Sequence, residues 1–272
     1  MPKAYKTIYP DKRHNSPDVT HDSPDITQPV YHGILYGVGV GPGSPDLVTL
    51  RAVNTLKSVS HVIAPTVDER VPGRAEIIIR YIIPALDIER FVFPVSNENI
   101  DGKPARDTDS IYGQLVERIA AYTIKGESVA FVTLGDPDIY STFSHIRHLY
   151  IKRYPHMPLE TIAGICAFQE LAARTNTTLC IGSDTLTLAP HLHTENDHPD
   201  MLTQPDSTVV VYKGGERVQD IVDLAKTRDR LDNAVVGIHL GQERETIALL
   251  KEMKDAPQIP YLSTVIIPCR EY

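Results

Sequence analysis

YGVGVGPGSPDLVTLRA, Tyr36 to Ala52, sets four glycines at alternate positions at the end of an apolar run and then turns into a segment with helical spacing. The apolar residues before and between the glycines (GILYGVGV, Gly33–Val40) fit a buried strand. Leu47, Leu50, Val53 and Leu56 recur at the spacing of one helix face. Ser44 suits an N-cap and Pro45 the first helical position, where a missing N–H costs nothing. Strand, glycine loop and helix are therefore expected in succession. A dinucleotide fingerprint of the form G-x-G-x-x-G fails in both frames, because Pro42 and Ser44 stand where the third glycine is required. Pro42 also removes an amide that a pyrophosphate would want. The loop is then expected to be a floor without side chains, against which something flat and large can lie.

Outward from this loop, strand and helix alternate. HVIAP (61–65), ERFVFPV (89–95) and SVAFVTLGDP (128–137) read as strands, and AEIIIRYIIPAL and SIYGQLVERIAAYTIKG as helices closed by Pro84 and Gly126. Such alternation predicts a parallel sheet with helices on both faces. KRYPHMP (152–158) is the best linker candidate, and beyond it strands outnumber helices. LETIAG, TLTLAP, STVVVYKGG, AVVGIHLG and YLSTVIIP are expected strands; AFQELAART, VQDIVDLAKTR and ETIALLKEM are expected helices. The expected division is a Pro- and Asp-rich tail over 1–30, an N-terminal α/β domain over 31–155 and a C-terminal α/β domain with a mixed sheet over 156–272.

Composition narrows the function. The 272 residues carry 27 Lys plus Arg against 35 Asp plus Glu, a net charge of -8, with no long basic block, which disfavours general nucleic-acid binding. No apolar run approaches the ~20 residues of a membrane span, and no leader with an apolar core is evident. Three widely spaced cysteines, Cys166, Cys180 and Cys269, fit neither a disulfide framework nor a zinc ribbon, so a reducing cytoplasm is the expected compartment. HLHTENDH (His191–His198) has metal-ligand spacing, but a solvated polar loop is the plainer reading and no metal site is assigned.

The second chemical signal is TLGDPDIYSTF, Thr133 to Phe143, at the carboxyl end of a buried strand, where open α/β sheets bind ligands. Gly135 permits close approach there, and Asp136 or Asp138 can accept hydrogen bonds or cap the next helix. Cys166 is expected to pack as a small residue and not to act as a nucleophile, which would need a neighbouring base.

In order and separation, VGVGPGSPDLVTLRA, LGDPDIYSTF, IAGICAFQELAART and VVVYKGG resemble the tetrapyrrole methylases of cobalamin and sirohaem biosynthesis, from about residue 33 to 268. FVFPV, YSTFSHIRHLY and PYLSTVIIP are most similar to the members that methylate C20 of precorrin-2 or of cobalt-precorrin-2. The chain departs from the family pattern at Ser44, where Asp is usual, and at Ala163-Gly164, where Pro-Gly is usual. The resemblance implies two αβα domains of the class III methyltransferase kind, a homodimer, and S-adenosylmethionine as methyl donor. It places Leu134, Gly135, Asp136, Ile139, Cys166, Ala167 and Lys213 at the cofactor.

An anionic tetrapyrrole would meet Gly41, Pro42, Gly43, Ser44, Tyr140, Ser141 and His145. Arg147, His148, Lys152 and Arg153 are further basic candidates on the same helix, with His145, His148 and Lys152 sharing a face and Arg147 pointing elsewhere. Arg51 and Lys103 are weaker ones. Tyr140 or Asp138 could take the proton from C20. Replacing Gly135 by Val is expected to abolish cofactor binding with the fold intact. Other methylases of the pathway, acting at C2/C7 of uroporphyrinogen III or at C11 or C17, and a non-catalytic tetrapyrrole-binding protein are the alternatives; the missing third glycine leaves a nicotinamide oxidoreductase little support.

Overall fold

Val129–Thr133, buried along its whole length, is the central strand of the first sheet in a computed structural model that describes residues 32–93, 108–190, 204, 206–212, 218–253, 256 and 259–269. Its side chains alternate between two cores. Ala130 and Val132 face one cluster, and Val129 and Phe131 face the other, as a strand covered on both sides requires. Around it (β4) lie β1 (Leu35–Gly39), β2 (His61–Thr66), β3 (Glu89–Val92) and β5 (Leu159–Ile162), in the order β3-β2-β4-β1-β5 and parallel throughout. Helices α1 (Leu50–Ser58) and α2 (Arg74–Ile82) cover one face through Ala52, Leu56, Ile78 and Ile79. The other face is covered by α3 (Thr108–Thr123) and α4 (Thr142–Arg153), through Leu115, Ile119, Phe143 and Ile146.

The second sheet has the order β6-β7-β10-β8-β9, from β6 (Thr185–Ala189), β7 (Ser207–Tyr212), β8 (Val235–Ile238), β9 (Thr246–Leu249) and β10 (Ser263–Ile267). Only β6 and β7 run parallel; the remaining neighbours are antiparallel. Helix α5 (Ala167–Thr175) packs on one face, with Phe168 and Leu171 against Val210 and Ile266, and α6 (Val218–Thr227) on the other, with Ile221 and Val222 against Val209 and Val265. The α/β class, the parallel first sheet and the mixed second one are as the sequence predicts.

Three readings of local structure are corrected. The helix after the glycine loop starts at Leu50 and not at Pro45. The Ser44 hydroxyl donates to Asp46 and leaves Pro45–Leu47 as a 3-10 turn, while Thr49 Oγ1 accepts from the Ala52 amide at 3.1 Å and caps α1. ETIALLKEM is not a helix: Thr246–Leu249 pairs with β8 as a hairpin and Leu250–Met253 forms a 3-10 turn, cross-strand pairing having overridden helix propensity. Finally, β5 lies beyond residue 155 but pairs with β1 from Leu35↔Leu159 to Val38↔Ile162, so the Lys152–Pro158 segment is a crossover within the first sheet, which extends to Ile162. The tail over 1–30 lies outside the described residues.

Candidate functional site

The strands β1, β4 and β5 end within contact of one another, and glycine stands at each end. A Cβ on Gly39 would lie 2.6 Å from the Gly135 carbonyl oxygen and 2.7 Å from the Gly164 Cα; one on Gly164 would lie 2.1 Å from the same oxygen. Gly41 and Gly135 exchange backbone hydrogen bonds of 2.7 and 3.4 Å. Asp136 completes the junction: its Oδ1 accepts from the Asp138 amide at 2.8 Å and its Oδ2 from the Gly164 amide at 2.9 Å. One carboxylate thus ties the loop after β4 to the loop after β5. Gly135 itself has φ +71, and a Cβ there would meet nothing within 4 Å. It is the one member of the junction that faces open space, at the strand ends where such sheets bind ligands.

The loop then crosses to the second sheet. Ile139 packs against the cluster containing Cys166, Phe168 and Leu171. Tyr140, held at φ 47, donates its hydroxyl to the Leu188 carbonyl at 2.8 Å and sets its ring edge-on to Tyr212 with centroids 5.6 Å apart. Burial pushes the Tyr140 phenol pKa up. Cys166 precedes α5, its amide donating to Gln169 Oε1 at 2.8 Å; burial, with the nearby Asp136 charge second, pushes its thiol to about 11. At neutral pH it is a protonated, packed thiol and a poor nucleophile. Tyr212 beside it has a buried hydroxyl without a hydrogen bond of standard geometry, and burial pushes its pKa up as well.

The structure brings together Leu134, Gly135, Asp136, Ile139, Cys166 and Ala167, while Lys213 lies outside the described residues, as do Lys103 and His191–His198. It does not leave the glycine loop as a free floor. Gly41, Pro42 and Gly43 are buried, a Cβ on Gly43 would lie 1.9 Å from the Leu240 carbonyl oxygen, and one on Gly241 would lie 2.2 Å from the Ser44 nitrogen. The space that the glycines provide is filled by the protein's own backbone. Ser141 is likewise committed: it is buried, its Oγ accepts from the Phe143 amide at 3.1 Å, and it shares a 2.9 Å hydrogen bond with Thr133.

Helix α4 distributes its bases differently from the sequence reading. His145 stacks on Tyr112, centroids 5.2 Å apart, whereas Arg147 joins His148 and Lys152 around a shallow concavity that also includes Ser144 and Ile151. Arg147 pairs with Asp138 at 2.5 Å and Arg153 with Glu117 at 3.0 Å, so part of that charge is already neutralised. Arg51 is exposed on α1. Sequence reasoning passed over His239 in GIHLG, which follows β8 at φ 50 with its Nδ1 buried and unpartnered. A histidine flanked by glycines in a strand-end motif is the signal that could have flagged it.

The class these features define is a two-sheet α/β protein with a glycine-lined loop junction at the carboxyl ends of a parallel sheet. Within that class, the chain belongs to the Tetrapyrrole (Corrin/Porphyrin) Methylases, whose family model matches residues 34–254. It is 28% identical over 239 residues to a precorrin-2 C(20)-methyltransferase of Sinorhizobium sp, covering 87% of this chain and 95% of that one. To a cobalt-precorrin-2 C(20)-methyltransferase of Salmonella typhimurium it is 27% identical over 240 residues, covering 87% of this chain and 96% of that one. The fold is that of the uroporphyrin-III C-methyl transferase from Thermus thermophilus solved with S-adenyl homocysteine, with a TM-score of 0.57 and 21% identity over 87% of this chain and 92% of that one.

Proposed function

We propose that this chain transfers the methyl group of S-adenosylmethionine to C20 of precorrin-2 or cobalt-precorrin-2 in cobalamin biosynthesis. The observation that carries this is the match to C20-methyltransferases along almost their whole length. Gly135 supports the cofactor assignment: its positive φ and the open space above it make a cradle that any side chain would fill. Leu134, Gly135, Ile139, Cys166, Ala167 and Lys213 hold the cofactor, and Asp136 fixes the loop that carries the first three of them.

Bound S-adenosylmethionine supplies a sulfonium methyl already activated for displacement by an electron-rich carbon. The chain's task is therefore alignment and exclusion of water, and orientation of this kind can account for ~7–11 kcal/mol of barrier. Ile139, packed against Phe168 and Leu171, gives a dry wall, and the Asp136 bridge keeps both loops at fixed separation. No nucleophile from the protein is needed, in keeping with a Cys166 thiol held protonated. For the C20 proton, the Tyr140 hydroxyl already donates to Leu188 and serves orientation; Asp138, with its side chain 45% exposed, is the accessible carboxylate. The family resemblance supports a homodimer, and three free thiols support a cytoplasmic setting. Among the described residues, no helix is long and apolar enough to cross a membrane.

The test is incubation of the purified protein and methyl-labelled S-adenosylmethionine with precorrin-2, cobalt-precorrin-2 and cobalt-factor II in separate reactions. Label at C20 is expected with at least one of them. Label at another carbon overturns the positional assignment, and no transfer to any of the three overturns the activity.

A further inference from the structure

The three thiols of the chain lie in different surroundings, and two of them are linked through one carboxylate. Cys166 is buried at the start of α5, in the cluster that Ile139 packs against. Cys269 is buried just beyond β10, and its thiol donates to Asp184 Oδ2 at 3.5 Å. The same Oδ2 accepts from the Ile181 amide at 2.9 Å. That amide is the peptide nitrogen that follows Cys180, so a single oxygen atom joins the sulfur of Cys269 to the backbone of Cys180. Burial raises the Cys180 thiol pKa first, and the neighbouring Cys269 and Asp184 raise it further.

The two sides of this contact are built unequally. Cys269 is held through its backbone on both sides: its amide donates to Thr208 Oγ1 at 3.1 Å and its carbonyl accepts from Arg230 Nε at 3.2 Å. Cys180 is exposed. It leads into a tight turn over residues 181–184, closed by the Asp184 amide donating to the Ile181 carbonyl at 3.1 Å. Within that turn Gly182 has φ +63 and faces open space. One thiol is thus fixed, and the other lies at the surface, where a small reagent reaches it. Among the described residues, no three His, Cys, Asp or Glu side chains are placed to hold a metal ion, so Asp184 and the two thiols are not a metal site.

We propose that Cys180 and Cys269 form a reversible thiol–disulfide pair that a low-molecular-weight disulfide oxidises, with Cys180 the attacking thiol and Cys269 the resolving one. The bond ties the connection between α5 and β6 to the end of β10. A disulfide asks for Cα atoms about 4.4–6.8 Å apart, and the exposed turn is the side free to adjust. The Cys180 thiolate attacks one sulfur of the reagent, forming a mixed disulfide and releasing one thiolate. The Cys269 thiolate then attacks the Cys180 sulfur, closing the bond and releasing the second thiolate. The two protons lost by the protein thiols go to the released thiolates, and the two electrons they give up reduce the S–S bond of the reagent. With its pKa raised, Cys180 is mostly protonated at neutral pH, so attack is slow there. None of this depends on the methyltransferase reading.

The reduced full-length protein is incubated with oxidised glutathione at mildly alkaline pH, as wild type, Cys180→Ser, Cys269→Ser and Cys166→Ser. Thiols are counted by alkylation after denaturation, and bonds are assigned by intact mass and peptide mapping. In wild type, two of the three thiols should be lost. The mass should fall by two hydrogens with no glutathione retained, and the peptides holding Cys180 and Cys269 should stay joined until dithiothreitol is added. Cys269→Ser, which lacks the resolving thiol, should keep one glutathione on Cys180. Cys180→Ser should keep both remaining thiols, and Cys166→Ser should cross-link as wild type does.

The wild-type result needs no variant to fold. A wild-type protein that retains all three thiols, or that carries a stable glutathione on Cys180 with Cys269 still free, overturns the proposal. A bond from either residue to Cys166, or one between two chains, overturns it as well.

Discussion

Gly135→Ala separates backbone strain from ligand contact, because the structure supplies a matched control. Gly135 has φ +71 and Gly182 has φ +63, and in both a Cβ would meet nothing within 4 Å. Neither substitution creates a clash in the protein. An alanine held in the left-handed region costs roughly 1–2 kcal/mol, and the restricted unfolded chain returns about 0.4–1 kcal/mol of that. Urea unfolding should therefore show both variants destabilised by about 0.5–1.5 kcal/mol and by similar amounts.

Cofactor binding should divide them. Gly182 lies in the turn before β6, remote in sequence from the junction of β1, β4 and β5, whereas a methyl on Gly135 would project into the space where the cofactor is proposed to lie. Overpacking of that size costs ~1–3 kcal/mol. The Kd for S-adenosylhomocysteine, measured by calorimetry, should rise about 5- to 150-fold in Gly135→Ala and stay at the wild-type value in Gly182→Ala. Wild-type affinity in Gly135→Ala would refute the placement of the cofactor at this loop. Equal losses in both variants would show that strain, and not contact, is being measured. Gly135→Val is a poorer probe than the sequence suggests, since a β-branched residue at positive φ compromises the fold.

The buried Glu76 carboxylate accepts from Arg90 at 2.6 and 2.9 Å and from Arg80 at 2.7 Å, and hydrogen bonding to Arg90 is the first cause that holds its pKa low. Arg90→Ala should cost about 2–3 kcal/mol, below the usual range for breaking a buried pair because Arg80 remains; Arg80→Ala should cost less. Because the folded pKa is depressed, this stabilisation is present above the ordinary carboxylate range and is lost as pH falls, so urea midpoints measured from pH 7 to 3 should fall less steeply in Arg90→Ala. At Cys166 the sign is opposite. With the thiol raised from 9.0 to about 11, stability is retained below pH 9 and declines as pH rises to about 11, by ~2–3 kcal/mol at 1.36 kcal/mol per unit. Cys166→Ala should show less alkaline loss in unfolding measured at pH 8 and 10.5, and an equal loss would refute the assignment.

Much of this was legible because alternation records which faces are covered. Val129 to Thr133 reads as a strand buried on both faces and is one. The position of LGDP at its carboxyl end followed from that alone. Opposition across the sheet is not legible. Nothing in GDPD shows that the Asp136 carboxylate faces the amide of Gly164, 28 residues on, and nothing in LETIAG shows that the strand returns to β1 and not to the second sheet. The helical reading of ETIALLKEM failed for the same reason: four residues of ambiguous propensity took the conformation that β8 offered them.

The glycine loop is the sharpest case. Alternating glycines at a strand end state that backbone comes close to something, but a missing side chain does not say what approaches. Here the neighbour is the protein: the Leu240 carbonyl at Gly43, and the Gly135 carbonyl at Gly39. Those contacts fix the first sheet's loops against each other and against the turn after β8. Of the glycines at that junction, Gly135 alone faces open space. The four alternating glycines are all met by the protein's own atoms, and the one that faces open space lies in the loop after β4. The close approach that seemed to describe a binding surface describes the scaffold that positions one.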